Sequence, residues 1–135
     1  MISTKGRYAL RFMIDLAEQE QGRYVPLKDI SARQEISKKY LEIIARDLVA
    51  GGLVTGASGK GGGYRLCRPP EAYTVYEILI QMEGTLSPVA CLADGAAPCP
   101  RVAGCKTLPL WTGYDRLTRD YFSGVRLSDL VEKRR

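Results

Sequence analysis

Residues 53–66 place the strongest constraint on the fold. Leu53 to Ala57 and Tyr64 to Leu66 have the character of short strands, and between them runs Ser58-Gly59-Lys60-Gly61-Gly62-Gly63. Glycine reaches positive φ and lets backbones approach closely, so this run favours a tight reversal between paired strands. A strand, a glycine-rich tip and a returning strand make a hairpin wing, with Lys60 placed to reach a phosphate or a minor groove. Nucleotide-binding loops also use glycine, but the run fits neither of their patterns. Gly61 follows Lys60 where a phosphate-binding loop needs Ser or Thr, and Tyr64 stands where a dinucleotide fingerprint begun at Gly59 needs its last glycine.

The residues before the hairpin have helical periodicity. Ala9, Leu10, Met13, Leu16 and Ala17 predict a first amphipathic helix from about Lys5 to Glu20, ended by Gly22. Pro26 suits a first helical position, and Leu27, Ile30 and Ala32 predict a short second helix before a polar turn at Gln34 and Glu35. Ser37 is an N-cap for a third helix, whose apolar face of Leu41, Ile44, Ala45, Leu48 and Val49 runs to Gly51 and Gly52. The opposite face carries Lys38, Lys39, Glu42 and Arg46. Two short helices joined by a tight turn, the second basic and polar at its start, match a helix-turn-helix with its recognition helix. The predicted class is therefore mainly α with a small β-hairpin: a winged helix-turn-helix.

Beyond Pro69 and Pro70, Thr74-Val75-Tyr76-Glu77 is a capping box opening a helix to about Glu83, closed by Gly84. A longer helix is expected from Thr107 to Phe122, with Leu110, Trp111, Tyr114, Leu117, Thr118 and Tyr121 on or near one face. So aromatic a face, with little core left to cover it, predicts a homodimer seam. Two recognition helices paired across a two-fold axis would read half-sites roughly 34 Å apart on double-stranded DNA. Leu127, Leu130 and Val131 predict a terminal helix with a basic end, Lys133-Arg134-Arg135. The expected parts are a DNA-binding domain over 1–84, a sensor loop over 85–106, and a dimerisation helix with a C-terminal helix over 107–135.

The charge asymmetry fits a polyanion partner for the first half and fits plain solubility equally well. Residues 1–68 hold 12 Lys or Arg against 7 Asp or Glu, whereas residues 69–135 hold 8 of each, so the net charge of +5 lies entirely in the first half. Arg7, Arg11 and Asp15 interrupt the first apolar run, which therefore reads neither as a signal peptide nor as a membrane span, and no membrane partner is expected. A cytoplasmic location follows, where clustered thiols more often mean metal or redox chemistry than structural disulfides.

Cys91, Cys99 and Cys105 fall in a stretch dominated by alanine, glycine and proline, which cannot fill a core. Thiolates on such a loop can hold an iron-sulfur cluster, bind one zinc with an outside ligand, or act as bare redox groups. Cys67 stands apart and is expected to be a small packed residue. An enzymatic role, such as a small redox protein, lacks a Cys-x-x-Cys or an acid-base constellation.

Taken in order, STKGRYALRFMIDLA, VPLKDIS, ISKKYLEIIARDLVAGGLV, GKGGGYRL and the cysteine loop followed by LPLW resemble the Rrf family of winged-helix transcriptional regulators. The likeness is collinear over nearly the whole chain. It implies a dimeric bacterial DNA-binding regulator, expected to be a repressor. Several members hold an iron-sulfur cluster on three cysteines and sense cluster supply, iron, nitric oxide or redox state. By this resemblance Lys39, Tyr40 and Glu42 face DNA from the recognition helix, Ser58 and Lys60 from the wing, and Cys91, Cys99 and Cys105 are the cluster ligands. Some members complete the site with a histidine three residues after the last cysteine; here that position is Leu108, and the chain has no histidine. Others take a carboxylate from the partner's first helix, at a position corresponding to Tyr8. The fourth ligand thus stays open, Asp94 being one candidate. A further departure is Ser58, where some members place an arginine.

Overall fold

A computed structural model describes residues 1–97 and 100–132; Cys99 and the basic end Lys133-Arg134-Arg135 lie outside the described residues. Ser3 caps α1 (Thr4–Ala17), its hydroxyl accepting from the Gly6 N–H at 3.1 Å. The helix stops short of the expected Glu20. Its open end is satisfied by side-chain amides, Gln19 donating to Asp15 O and Gln21 to Leu16 O, each at 3.2 Å.

Pro26 stands at the cap of α2 (Leu27–Gln34), and Glu35 ends that helix with a left-handed φ of 54°. Ser37 then caps α3 (Lys38–Ala50), accepting from the Tyr40 N–H at 3.1 Å. The strands β1 (Val54–Ala57) and β2 (Gly63–Leu66) pair antiparallel, Val54 opposite Leu66 and Ala57 opposite Gly63. Val25 bridges to the far side of β2, its N–H donating to Tyr64 O at 2.8 Å and its carbonyl accepting from the Tyr64 N–H at 2.9 Å. This approach requires glycine at 63, where φ is 144° and a Cβ would stand 2.1 Å from Val25 O. Phe12 of α1 meets Tyr64 edge to face, with ring centroids 5.8 Å apart, so the wing root is packed against the helical core.

The capping box forms as expected at α4 (Val75–Glu83). Glu77 Oε2 accepts from the Thr74 N–H at 2.9 Å and Thr74 Oγ1 from the Glu77 N–H at 3.2 Å. Next come one-turn helices at Ala90–Leu92 and Val102–Gly104, then α5 (Leu108–Ser123) and α6 (Leu127–Glu132). One cluster joins Phe12 and Met13 of α1, Ile30 of α2, Leu41, Ile44 and Leu48 of α3, Ile78 of α4 and Leu127 of α6. The chain therefore returns to its first core at Leu127, after α5 has packed against α4 with none of its own residues fully buried.

Candidate nucleic-acid interface and cysteine loop

The apolar face of α3 fixes which residues turn outward. With Leu41, Ile44, Ala45 and Leu48 buried, Lys38, Lys39, Glu42 and Arg46 are exposed. Lys38, Glu42 and Arg46 recur every four residues and line one groove, of about 680 Å³, whose other wall is the wing at Gly56, Ala57 and Gly62. Lys28 of α2 also lines it. Ser58 and Lys60 are exposed at the wing tip. Tyr40 differs from its neighbours: it is half-buried and packs edge to face on Tyr8 with centroids 5.7 Å apart, while the Arg11 guanidinium lies 5.1 Å from the centre of the Tyr8 ring.

A buried charge holds the turn that delivers α3. Asp15 is 1% exposed and accepts from Arg33 Nε at 3.0 Å, Arg33 Nη2 at 2.8 Å and Gln34 Nε2 at 3.0 Å. Gln34 is gripped further by Arg11, whose guanidinium reaches both its side-chain oxygen and its carbonyl. The last turn of α2 is thus tied to α1 by charge-assisted bonds, and Ser31 Oγ donates across the turn to Ile36 O at 2.6 Å.

On the cysteine loop, Cys91 is exposed in the turn Ala90–Leu92, and Cys105 is half-buried just before α5. Both thiols are free. The Cys105 sulfur lies 3.5 Å from Thr107 Oγ1, and hydrogen bonds from that hydroxyl and from the Thr107 and Leu108 backbone hold the thiol below its ordinary pKa, with Arg101 nearby adding to the effect. Among the described residues no three Cys, Asp or Glu side chains converge on one point, and Cys99 is outside that set. The donor chemistry still suits a thiophilic group: two free sulfurs on accessible backbone, one of them biased toward thiolate. Asp94 is exposed and pairs with Arg119 Nη2 at 3.3 Å, while Arg119 Nε holds Asp115 at 3.0 Å. The pair with Arg119 uses Asp94 Oδ1 alone, and a carboxylate can ligate through its second oxygen while the first stays paired.

The order of helices, the groove and the wing fit one known family along the whole chain: the sequence model of the Rrf2 family, described as iron-dependent transcriptional regulator, matches residues 2–133. The chain belongs to the Rrf2 family. IscR of Cereibacter sphaeroides is 36% identical over 97% of this chain and 86% of its own length. Among solved structures, CymR, the global cysteine regulator of B. subtilis, is 34% identical with a TM-score of 0.79, covering 98% of this chain and 97% of that one. IscR of T. potens is 28% identical with a TM-score of 0.76, covering 100% of this chain and 88% of that one. This Rrf2 protein is a winged-helix, DNA-binding transcriptional regulator and not an enzyme. Among its described residues no helix is long and apolar enough to cross a membrane.

In the Rrf2 chain, four sequence-expected residues, Lys38, Glu42, Ser58 and Lys60, are exposed on α3 and the wing, and Lys39 is exposed on the same first turn of α3. The structure adds Arg46 and Lys28 to the groove. Arg46 lies on the polar face that the helical periodicity already assigns to it, whereas nothing local marks Lys28. The packed role expected for Cys67 is corrected: this cysteine is exposed at the wing base, its sulfur 3.1 Å from Thr55 Oγ1. The strand pair brings these two side chains together at the sheet surface, outside the core.

Proposed function

We propose that this Rrf2 regulator is a homodimer that binds a double-stranded DNA operator through α3 and the wing, and that its cysteine loop senses iron-sulfur cluster status. The observation that carries the reading is the placement of the loop. Cys91 and Cys105 stand free on the segment that leads into α5, and α5 presents an unburied apolar stripe of Leu110, Tyr114, Leu117 and Tyr121, exposed by 63%, 57%, 72% and 68%. A thiol site at the first turn of a dimer helix is well placed to bias how two recognition helices are spaced.

Cys91, Cys99 and Cys105 would hold the cluster, Cys105 entering as thiolate with help from Thr107. When bound, a cluster supplies sensitivity to iron supply, nitric oxide and oxidants. On the DNA side, Lys38, Lys39 and Lys60 would neutralise phosphates, while Glu42, flanked by Lys38 and Arg46, can accept from a cytosine amine in the major groove. Tyr40 and Ser58 complete the proposed contact set.

A second reading is a cluster-free thiol regulator, supported by the free, accessible thiols of Cys91 and Cys105. One relative, Staphylococcus aureus CymR, has been solved in an oxidized form. Native mass spectrometry of protein reconstituted anaerobically with iron and sulfide separates the two. A dimer carrying iron and sulfide in Cys-dependent amounts is expected; a dimer that takes up neither element contradicts the cluster reading and leaves the thiol one. At the DNA surface, Lys39→Glu and Lys60→Glu should each weaken operator binding and lower the salt slope by about 0.9 or more. Unchanged affinity and slope in both variants would remove this surface from the proposal.

A further inference from the structure

We propose that Tyr73 is a positioning residue for the wing, fixing the base of both strands against the corner where α4 begins and α6 returns. Its side chain is fully buried. The hydroxyl donates to Leu53 O, just before β1, at 2.6 Å. It accepts from the N–H groups of Cys67 and Arg68, just after β2, at 2.9 and 3.1 Å. One oxygen therefore closes the open end of the hairpin with three bonds to the backbone on either side of it.

The ring is held in turn. The Arg68 guanidinium lies over it, 4.2 Å from the ring centre, and is fixed by Glu77 Oε1 at 2.6 Å and Ala72 O at 2.8 Å. Burial pushes the phenol pKa up, so the hydroxyl keeps the proton it donates to Leu53 O. On its main-chain side the same residue meets the chain that has just left α5. Tyr73 O accepts from the Leu127 N–H at 3.1 Å, Val125 O accepts from the Val75 N–H at 2.8 Å, and Arg126 Nη1 reaches Glu71 O at 3.3 Å. Tyr73 thus joins the segment that follows α5 to the base of the wing, its main chain holding one and its hydroxyl the other. A purely space-filling tyrosine would need the ring alone. The three bonds at the hairpin base are what a phenylalanine would lose.

Tyr73→Phe in the full chain tests this with two readouts. In amide hydrogen exchange of the free protein, wing amides of Thr55–Ala57 and Tyr64–Leu66 should exchange about tenfold faster relative to those of α3. Wing amides that gain no more than α3 amides would overturn the proposal. The second readout, which rests on the proposed contact of Lys60 with DNA, is a double-mutant cycle on operator affinity. Lys60→Ala should cost about fivefold in the parent protein and less than about twofold beside Tyr73→Phe, while Lys39→Ala on α3 costs the same in both backgrounds. An equal Lys60 cost in both backgrounds contradicts the positioning role. If Lys60→Ala is neutral in the parent, the DNA contact of the wing fails and the exchange result alone decides on Tyr73. Should Tyr73→Phe not fold, Glu77→Gln, which removes the carboxylate that helps hold the guanidinium over the ring, is measured in the same two ways with the same opposing outcomes.

Discussion

Helices α3 and α5 share an amphipathic pattern and differ in what covers it. Over its 13 residues α3 buries Leu41, Ile44, Ala45 and Leu48 within its own chain, whereas α5, with 16 residues, fully buries none. The apolar stripe of α5 is exposed, and its Tyr114, Leu117 and Tyr121 line a groove of about 670 Å³ together with Met1, Ile2, Leu86 and Pro88. Periodicity states that a face needs covering. Only the packed chain states whether its own residues supply the cover, and Leu110, Tyr114, Leu117 and Tyr121 of α5 stay exposed.

That contrast is open to attack by substitution. The largest expected effect is at Leu48→Ala, where a fully buried side chain is truncated: unfolding stability should fall by about 2–5 kcal/mol in urea titration. Leu117→Ala on α5, read in the same titration at low protein concentration, should cost about 0.5 kcal/mol or less. A cost at Leu117 equal to that at Leu48 would mean that α5 is an ordinary part of the subunit core.

Next in size is Asp15→Ala, expected to destabilise by about 2–4 kcal/mol because Arg33 and Gln34 lose a buried carboxylate that accepts three of their hydrogen bonds. The loss should also weaken operator binding at temperatures where the variant is folded, since the turn leading into α3 is loosened. Third, Leu117→Glu should convert dimer to monomer in sedimentation analysis while leaving the circular dichroism spectrum unchanged. A Leu117→Glu protein that remains dimeric would remove the α5 stripe from the interface.

The smallest effect is electrostatic. Burial alone would raise the Glu77 carboxyl, but hydrogen bonds from Arg68 and Thr74 and the charge of Arg68 hold it below its ordinary value. A carboxylate lowered on folding adds stability that is fully present above its unfolded pKa, about 4.3, and is lost as pH falls through its folded value. Glu77→Gln should therefore flatten the acid-side decline in melting temperature below about pH 4. An unchanged decline would show that Glu77 is not a source of it.

Much of the helical half is legible in the sequence because its signals are local. Ser37, the Thr74–Glu77 capping box and the glycines after α3 each satisfy or end backbone within a few residues, and the structure places them accordingly. Asp15 and Tyr73 show the other case. An aspartate in an apolar stripe reads as an interruption, and its partners Arg33 and Gln34 lie 18 and 19 residues away. Tyr73 takes its role from strand ends and from Leu127, brought together only by the completed fold. Gly63 is legible in part: its tolerance of unusual φ suits a turn, but the need for it comes from Val25 passing alongside. Among the proposed site residues, exposure of Lys38 and Lys39 on α3 follows from the apolar face opposite them. The groove membership of Lys28 depends on where α2 sits against the wing. For the cysteine loop the spacing of sulfurs is written in the chain, while the partner of Asp94 is set by where α5 passes.

If the thiol loop controls the DNA surface as proposed, operator affinity of one anaerobic preparation depends on its cluster, and the comparison is made with and without reconstituted iron and sulfide at fixed salt. A change of about tenfold or more is expected, with a similar salt slope in both states, and it should vanish in Cys99→Ala. Equal affinities for protein shown to carry iron and protein shown to lack it would contradict the claim.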